Sequence, residues 1–136
     1  MEAQRLEQEL ALLRSAYPDL EHIRQDELDW VRIRSYPLPD GWEYQRAAVS
    51  TAEVAFRIPA QIGEAPYAFF VRPRLTLSEG RTPANYTAEA ATPWGQDFAQ
   101  FSWAIEGSWV PKANIRAGAN MLNFARSFAQ RLGETE

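Results

Sequence analysis

The sequence predicts an α+β fold in a single domain, residues 1–136. Amphipathic helical patterns lie near both ends of the chain, and alternating apolar and polar residues occupy much of the stretch between them. Helices that flank a run of consecutive strands are typical of α+β proteins. With 136 residues, 46% of them hydrophobic, the chain is long enough for one buried core and has no room for a second domain.

The first predicted element is a helix over Ala3–Ala16. Its apolar residues recur every three or four positions, which is the spacing of one helix face, and they are Leu6, Leu10, Leu13 and Tyr17. Glu and Arg residues lie opposite this face, so we expect a solvated surface in which the charges balance, namely Arg5 and Arg14 against Glu2, Glu7 and Glu9. Pro18 ends the helix because proline lacks a backbone N–H.

A strand and a turn are expected next. Residues 19–29 carry mixed signals, whereas residues 30–34 alternate apolar and polar side chains, which predicts a strand with Val31 and Ile33 facing inward. Residues 37–42 read Pro-Leu-Pro-Asp-Gly-Trp. Proline fixes φ and Asp-Gly tolerates positive φ, so we expect a hairpin connection there.

Further strands complete a predicted antiparallel meander of three or four strands. Residues 49–58 and 67–71 contain apolar side chains at every second position, and residues 72–77 are a candidate fourth strand. The intervening segment, residues 59–66, is rich in proline and is expected to be a turn. Residues 78–97 show no periodicity and are expected to form a long irregular surface segment, a kind of segment that often carries function.

The final predicted element is a C-terminal helix that begins after Asn114 and ends at Gly133. Asn is a preferred N-cap residue and Gly a preferred C-terminal cap. One face of the helix is apolar and is formed by Ile115, Gly118, Leu122, Ala125, Phe128 or Ala129, and Leu132.

Composition excludes several classes of function. The net charge of −4 disfavours nucleic acid as a partner, and no apolar stretch approaches the roughly 20 residues of a membrane span, so we expect a cytoplasmic protein. The chain has no cysteine and one histidine, His22, which excludes disulfides, thiol nucleophiles and thiolate or histidine-rich metal sites. No motif for a cofactor is present, and no Gly-x-Ser-x-Gly hydrolase elbow is found.

Several motifs occur in an order that resembles the ubiquitin-conjugating-enzyme (UBC-like) superfamily, in particular a divergent bacterial branch. The similarity covers about residues 6–132. A turn bracketed by two prolines precedes a strand, a His-Pro-Asn-like sequence follows, and a Trp-x-Pro motif precedes the last helix. These landmarks are Pro59 and Pro66, Phe69-Phe70-Val71, Thr82-Pro83-Ala84-Asn85, and Trp109-Val110-Pro111. The superfamily's nucleophilic cysteine is absent.

The resemblance implies candidate catalytic residues. Counting back from Trp109, the nucleophile position falls near residues 101–103, where Ser102 has the only nucleophilic side-chain atom. A serine needs a general base; Asp97 and Glu106 are near in sequence and would serve if burial raised their pKa. His22 would serve only if the fold brought it close. Asn85 would orient the loop or donate to the oxyanion.

The implied function is conjugation with a ubiquitin-like modifier and its activating enzyme. Either Ser102 accepts the modifier as an oxyester, which would make the protein a transferase, or the domain positions its partners without covalent chemistry. The alternative is a noncatalytic scaffold of the same fold. Four arginines would favour a protein partner if their strands aligned them into a positive patch, namely Arg24, Arg32, Arg34 and Arg46.

Overall fold

The computed structural model describes residues 1–84 and 86–134, which form two helices, nine strands and two short 3₁₀ turns. The helices are α1 (Ala3–Ala16) and α2 (Met121–Leu132), and the 3₁₀ turns are Ser78–Gly80 and Ile115–Ala117. The strands are β1 (Glu21–Gln25), β2 (Leu28–Pro37), β3 (Trp42–Tyr44), β4 (Ala47–Ala48), β5 (Thr51–Ile58), β6 (Phe69–Arg72), β7 (Thr76–Leu77), β8 (Tyr86–Thr92) and β9 (Gly95–Phe101).

Six of the strands form one antiparallel sheet in the order β1-β2-β5-β6-β9-β8. A smaller sheet of three strands has the order β4-β3-β7. The main hydrophobic core contains residues of both helices and both sheets, with Phe128 of α2 and Val31, Phe56 and Phe69 of the large sheet all fully buried. The predicted α+β class is confirmed, as is the α1 helix with its predicted bounds.

A buried ion pair joins α1 to the start of α2. Arg5 and Glu9 are 6% and 2% exposed, and Arg5 Nε lies 3.1 Å from Glu9 Oε2. The other Glu9 oxygen accepts the backbone N–H of Met121 at 2.9 Å, while Arg5 donates to the carbonyl of Lys112 at 2.6 Å. The expectation that Arg5 and Glu9 belong to a solvated face was therefore wrong, because both side chains satisfy backbone groups of the C-terminal segment.

The C-terminal helix is shorter than predicted. Asn114 caps only the 3₁₀ turn, by accepting from Arg116 N–H at 3.1 Å, and α2 begins at Met121 with Asn120 as its N-cap. Gly118 separates the two, and its backbone lies so close to neighbouring chain that a Cβ there would sit 2.6 Å from the carbonyl oxygen of Val110. Only glycine fits this approach, and the extended backbone of Gly118, with φ −142° and ψ −165°, interrupts the helical path.

The predicted hairpin at residues 37–42 was wrong in its pairing. The turn exists, with Gly41 at φ 107°, but it leads from β2 into β3 of the small sheet. β2 pairs instead with β5, where Pro37 lies opposite Thr51. Residues 72–77 likewise do not form a fourth strand of the meander, because Arg72 ends β6 and the separate strand Thr76–Leu77 pairs with β3.

Two strands lie where the sequence carried weak signals. β1 forms a hairpin with β2 through Asp26 and Glu27, which both adopt positive φ without the Asn or Gly that usually marks such a turn. The prediction of an irregular segment at residues 78–97 was also wrong, because β8 and the start of β9 form a hairpin over much of it. β8 consists mainly of Ala and Thr, so it lacks the apolar alternation that marks a half-buried strand.

Tyr67 does not belong to the strand predicted over residues 67–71, because the backbone conformation of Ala68 interrupts that strand. Ala68 is fully buried with φ 67°, a left-handed conformation that costs a non-glycine residue roughly 1 kcal/mol. This breaks the alternation of side chains. Phe69 and Val71 face the core as predicted, whereas Tyr67 is 53% exposed.

The face of the large sheet away from the helices carries its own aromatic cluster. Trp30, Phe70 and Phe98 are buried there around Ala55. Arginine guanidinium groups cover the rings: Arg57 lies 5.4 Å from the Trp30 ring centre and Arg72 lies 4.4 Å from that of Phe98. Such cation–π contacts shield the rings while keeping the charges in water.

Candidate functional site

Ser102, at the position expected for the nucleophile, directly follows β9 and is exposed. The preceding residue, Phe101, is 1% exposed and pairs with Phe69 of β6 on one side and Tyr86 of β8 on the other. The rings of Phe69 and Phe101 are stacked with their centres 5.3 Å apart. The strand that leads to Ser102 is therefore held on both edges.

Trp103 holds the chain on the other side of Ser102. Its carbonyl accepts the backbone N–H of Ala68 at 2.8 Å, and its indole Nε1–H donates to Ser127 Oγ of α2 at 2.8 Å. The strained backbone of Ala68 thus makes one of the contacts that fix Trp103. Together with Phe101, these contacts place the Ser102 hydroxyl on a well-supported stretch of surface.

The loop with the His-Pro-Asn-like sequence lies next to the same strand end. Arg131 of α2 donates to the carbonyl of Ala84, and its guanidinium lies 5.1 Å from the ring centre of Phe101. Tyr86 pairs with Phe101. Asn85, the predicted oxyanion donor, lies outside the described residues, so its role stays a prediction; its neighbours Ala84 and Tyr86 are close to the residue that precedes Ser102.

Asp97 has a different environment from the one a general base requires. Its side chain is 70% exposed, and Oδ1 lies 2.9 Å from Nη1 of Arg72. The hydrogen bond from Arg72 lowers the pKa of the Asp97 carboxyl below its ordinary value. Burial was expected to raise this pKa, and the ion pair moves it in the opposite direction, so Asp97 is a weaker base here than an isolated carboxylate.

Replacing Arg72 with Met should raise the pKa of Asp97 toward its ordinary value of about 3.9. In the native protein the lowered pKa means that the pair stabilises the fold above about pH 4, and this contribution disappears as the pH falls through the folded-state pKa. NMR titration of the carboxyl carbon measures the change. Arg74→Met is the matched control, because Arg74 pairs with Glu89 instead. An unchanged pKa in Arg72→Met would contradict the assignment.

Comparison with known protein families tests the resemblance to the UBC-like superfamily. The model for Prok-E2_E, Prokaryotic E2 family E, matches residues 6–121. The chain belongs to prokaryotic E2 family E. Membership confirms the UBC-like assignment and associates the chain with ubiquitin-like conjugation at a coarse level. No curated protein and no solved structure matches the chain.

The histidine of this E2-like chain is remote from Ser102. His22 lies on β1, and its Nε2 is 2.9 Å from Asp29 Oδ1. Four strand spacings of about 4.8 Å separate β1 from β9, or roughly 19 Å. The imidazole is therefore not a base for Ser102. Glu106 is exposed, and within residues 1–84 and 86–134 the Ser102 hydroxyl makes no hydrogen bond to a carboxylate or imidazole.

The expected arginine patch of this family member is largely neutralised. Arg32 lies 2.6 Å from Glu21 and 2.9 Å from Glu53, and Arg34 shares Glu21 at 2.5 Å. Burial alone would raise the pKa of the Glu21 carboxyl. Hydrogen bonds from Arg34 and Arg32 outweigh this effect and lower the pKa below its ordinary value. Arg32 and Arg34 lie on one face of the large sheet, where Glu21 and Glu53 alternate with them, so this surface is mixed in charge. Arg24 pairs with Asp29 on the opposite face, and Arg46 lies between β3 and β4 of the small sheet, so the expected patch of four arginines does not form.

Three exposed apolar side chains in the loops were missed by the sequence analysis. Ile62 and Tyr67 are 44% and 53% exposed in the segment before β6, and Val110 of the Trp-x-Pro motif is 48% exposed. Ile62 contributes to an open cavity of about 300 Å³ with α1 residues such as Gln4 and Gln8. The signal was present in the sequence as apolar residues next to or between prolines, which disfavour the regular strand pairing that could bury them.

Neither a metal site nor a membrane helix is found in the part of the chain that the structure describes. No group of three or more His, Cys, Asp or Glu residues there could hold a metal ion. No helix there is both long enough and apolar enough to cross a membrane.

Proposed function

We propose that this chain acts with a ubiquitin-like modifier and its activating enzyme as a noncovalent positioning subunit. One observation carries this proposal. The chain has no cysteine, and the exposed Ser102 hydroxyl at the corresponding position has no bonded base among the described residues. A serine hydroxyl is a weak nucleophile without such a base. The surface around Ser102 would therefore bind the end of the modifier without forming a bond to it.

The rigid backbone at Ser102 supports this role. Phe101 is fixed by two strands and Trp103 by Ala68 and Ser127, so the chain offers a preformed surface and loses little conformational freedom on binding. We also infer that residues 1–136 form one domain in the cytoplasm. The shared core of α1, α2 and both sheets supports the single domain.

A second candidate is transfer through a serine oxyester, and the exposure of Ser102 favours it. A buried hydroxyl could not reach a modifier, whereas this one is open to solvent beside the loop that carries Ala84. The activating enzyme would then have to supply the missing base. The two candidates differ in whether a covalent bond forms on this chain.

One experiment separates them. The protein is incubated with its cognate modifier, activating enzyme and ATP, and then examined by size-exclusion chromatography and by denaturing gel with mass spectrometry. The positioning role predicts a complex of this chain with its partners but no covalent adduct. The affinity of Ser102→Ala for the modifier should match that of the native protein within about twofold. The exposed Ser108→Ala is the matched control.

The remaining outcomes each contradict the positioning role. An adduct that resists thiols, is cleaved by hydroxylamine or alkali, and disappears in Ser102→Ala would establish the oxyester instead. A complex with the modifier but never with the activating enzyme would favour the scaffold alternative. Absence of any complex with either protein would reject a role in conjugation.

A further inference from the structure

The outer edge of β8 is an open strand edge beside the candidate site. β8 is the terminal strand of the large sheet, and its backbone makes no hydrogen bond to another main-chain segment besides β9 within the described residues. Five of its seven residues are alanine or threonine, so most of the edge carries small side chains. A strand edge of this kind presents unpaired N–H and C=O groups that can pair with another extended chain.

The usual protection of sheet edges is weak at β8. Such edges are commonly blunted by lysine, proline, several charges or β-bulges. Of these devices β8 has only the bulges, where its pairing with β9 shifts register between Thr87 and Ala90 and between Ala90 and Thr92. β8 contains neither lysine nor proline, and its one charged residue, Glu89, is paired with Arg74 at 3.7 Å. At the opposite edge, Glu21 and Arg24 of β1 make ion pairs across to β2, and His22 makes a hydrogen bond to Asp29. The open edge of the sheet is therefore the one nearer to Ser102.

Strand direction determines where a bound chain would end. Every neighbouring pair in the large sheet is antiparallel, and antiparallel pairing is slightly more stable than parallel pairing. A chain added antiparallel to β8 runs in the same direction as β9. Its carboxyl end thus arrives at Tyr86, which pairs with Phe101, the residue before Ser102.

We propose that the outer edge of β8 binds the extended C-terminal tail of the ubiquitin-like modifier as an added antiparallel strand. This inference rests on the proposed function and names the surface by which the modifier is held. The added strand would lie two strand spacings, or about 10 Å, from β9. Three extended residues beyond Tyr86 span that distance at about 3.3 Å each, which brings the tail's carboxyl group to Ser102.

A second copy of this chain fits the same edge less well. Two-fold pairing of β8 with itself over all seven residues would put Glu89, the central residue, directly opposite its own copy. Like charges opposite each other across an antiparallel pair are destabilising. A tail without an acid at that position has no such penalty.

The edge is tested with a synthetic probe and the full chain labelled with ¹⁵N. The probe is the neutral octapeptide Thr-Gln-Val-Thr-Val-Gln-Gly-Gly with a free carboxylate. A nitroxide at its amino end should broaden the NMR signals of Thr92 and Trp94, and a nitroxide beside the diglycine should broaden those of Tyr86 and Ser102. The reverse pattern, or broadening elsewhere on the protein, would overturn the proposal.

Backbone methylation of the probe gives a matched control that leaves the protein unchanged. Alternate N–H groups of an extended peptide point to opposite sides, so only one side faces β8. Of two octapeptides methylated at alternate backbone nitrogens, one should bind at least tenfold more weakly and the other should keep its affinity within about threefold. Equal effects of the two would contradict strand addition.

Binding of the intact modifier separates this proposal from the proposed function. Ala91→Lys, on the exposed face of β8, should weaken the modifier complex at least tenfold, while Ala113→Lys adds the same charge at an exposed site away from the edge and should not. A full-strength complex in Ala91→Lys would overturn the β8 site but leave the positioning role intact. Dimers of the protein alone, with β8 amides protected from exchange, would assign the edge to a second copy.

Discussion

Replacing Glu9 with Ala should lower the free energy of unfolding by about 3–5 kcal/mol, the range for removing one partner of a buried ion pair. The variant leaves the guanidinium of Arg5 buried without its carboxylate, 6% exposed. It also removes the acceptor of the Met121 N–H, a donor at the start of α2 that has no partner within the helix. Chemical denaturation monitored by circular dichroism measures the loss.

Two companion variants test the cause of this loss. Glu7→Ala removes an exposed acid from the same helix and should change stability by no more than about 0.5 kcal/mol. Arg5→Met combined with Glu9→Met removes both charges and should recover part of the stability, because no unpaired buried charge remains. A Glu9→Ala loss of less than about 1 kcal/mol would show that the pair is not buried as described.

Phe128→Ala should cost about 3–5 kcal/mol of unfolding free energy by creating a cavity in the centre of the core. Phe128 is fully buried, and its ring centre lies 4.2 Å from that of Phe69 in a stacked arrangement and 5.2 Å from that of Phe56 edge to face. Phe69 in turn stacks on Phe101, next to Ser102. We therefore expect the NMR signals of Ser102 and Trp103 to shift as well.

The conservative variant Phe128→Leu keeps most of the buried volume and should cost less than half as much as Phe128→Ala. The same denaturation measurement compares the two. If Phe128→Ala lost less than about 2 kcal/mol, the ring would not occupy the centre of a close-packed core.

Local patterns in the sequence predicted the elements whose signals are local. α1 was predicted with its observed bounds because leucines repeat on one face and Pro18 follows. Strand pairing was harder to predict, because the partner of each strand is set by the whole sheet. The turn at Asp40-Gly41 was recognisable, yet it gave no sign that β2 pairs with β5 across an inserted small sheet.

The place of Ser102 in the fold was predictable, its surroundings were less so, and its role stays a prediction. Spacing from Trp109 indicated Ser102, which lies exposed at the end of β9. The pairing of Asp97 with Arg72 was not visible, because the two residues are 25 positions apart and meet only when the sheet forms. The buried roles of Arg5 and Glu9 were hidden for the same reason, since charged residues in an amphipathic helix usually face solvent.

The place of α2 in the core has a practical consequence for any shortened version of this protein. The family match stops at residue 121, the first residue of α2. A chain trimmed to that limit would lack Phe124, Phe128 and Leu132. The face of the large sheet that α2 covers would then be open to water. Such a fragment should aggregate, so the recognised family region is smaller than the unit that folds.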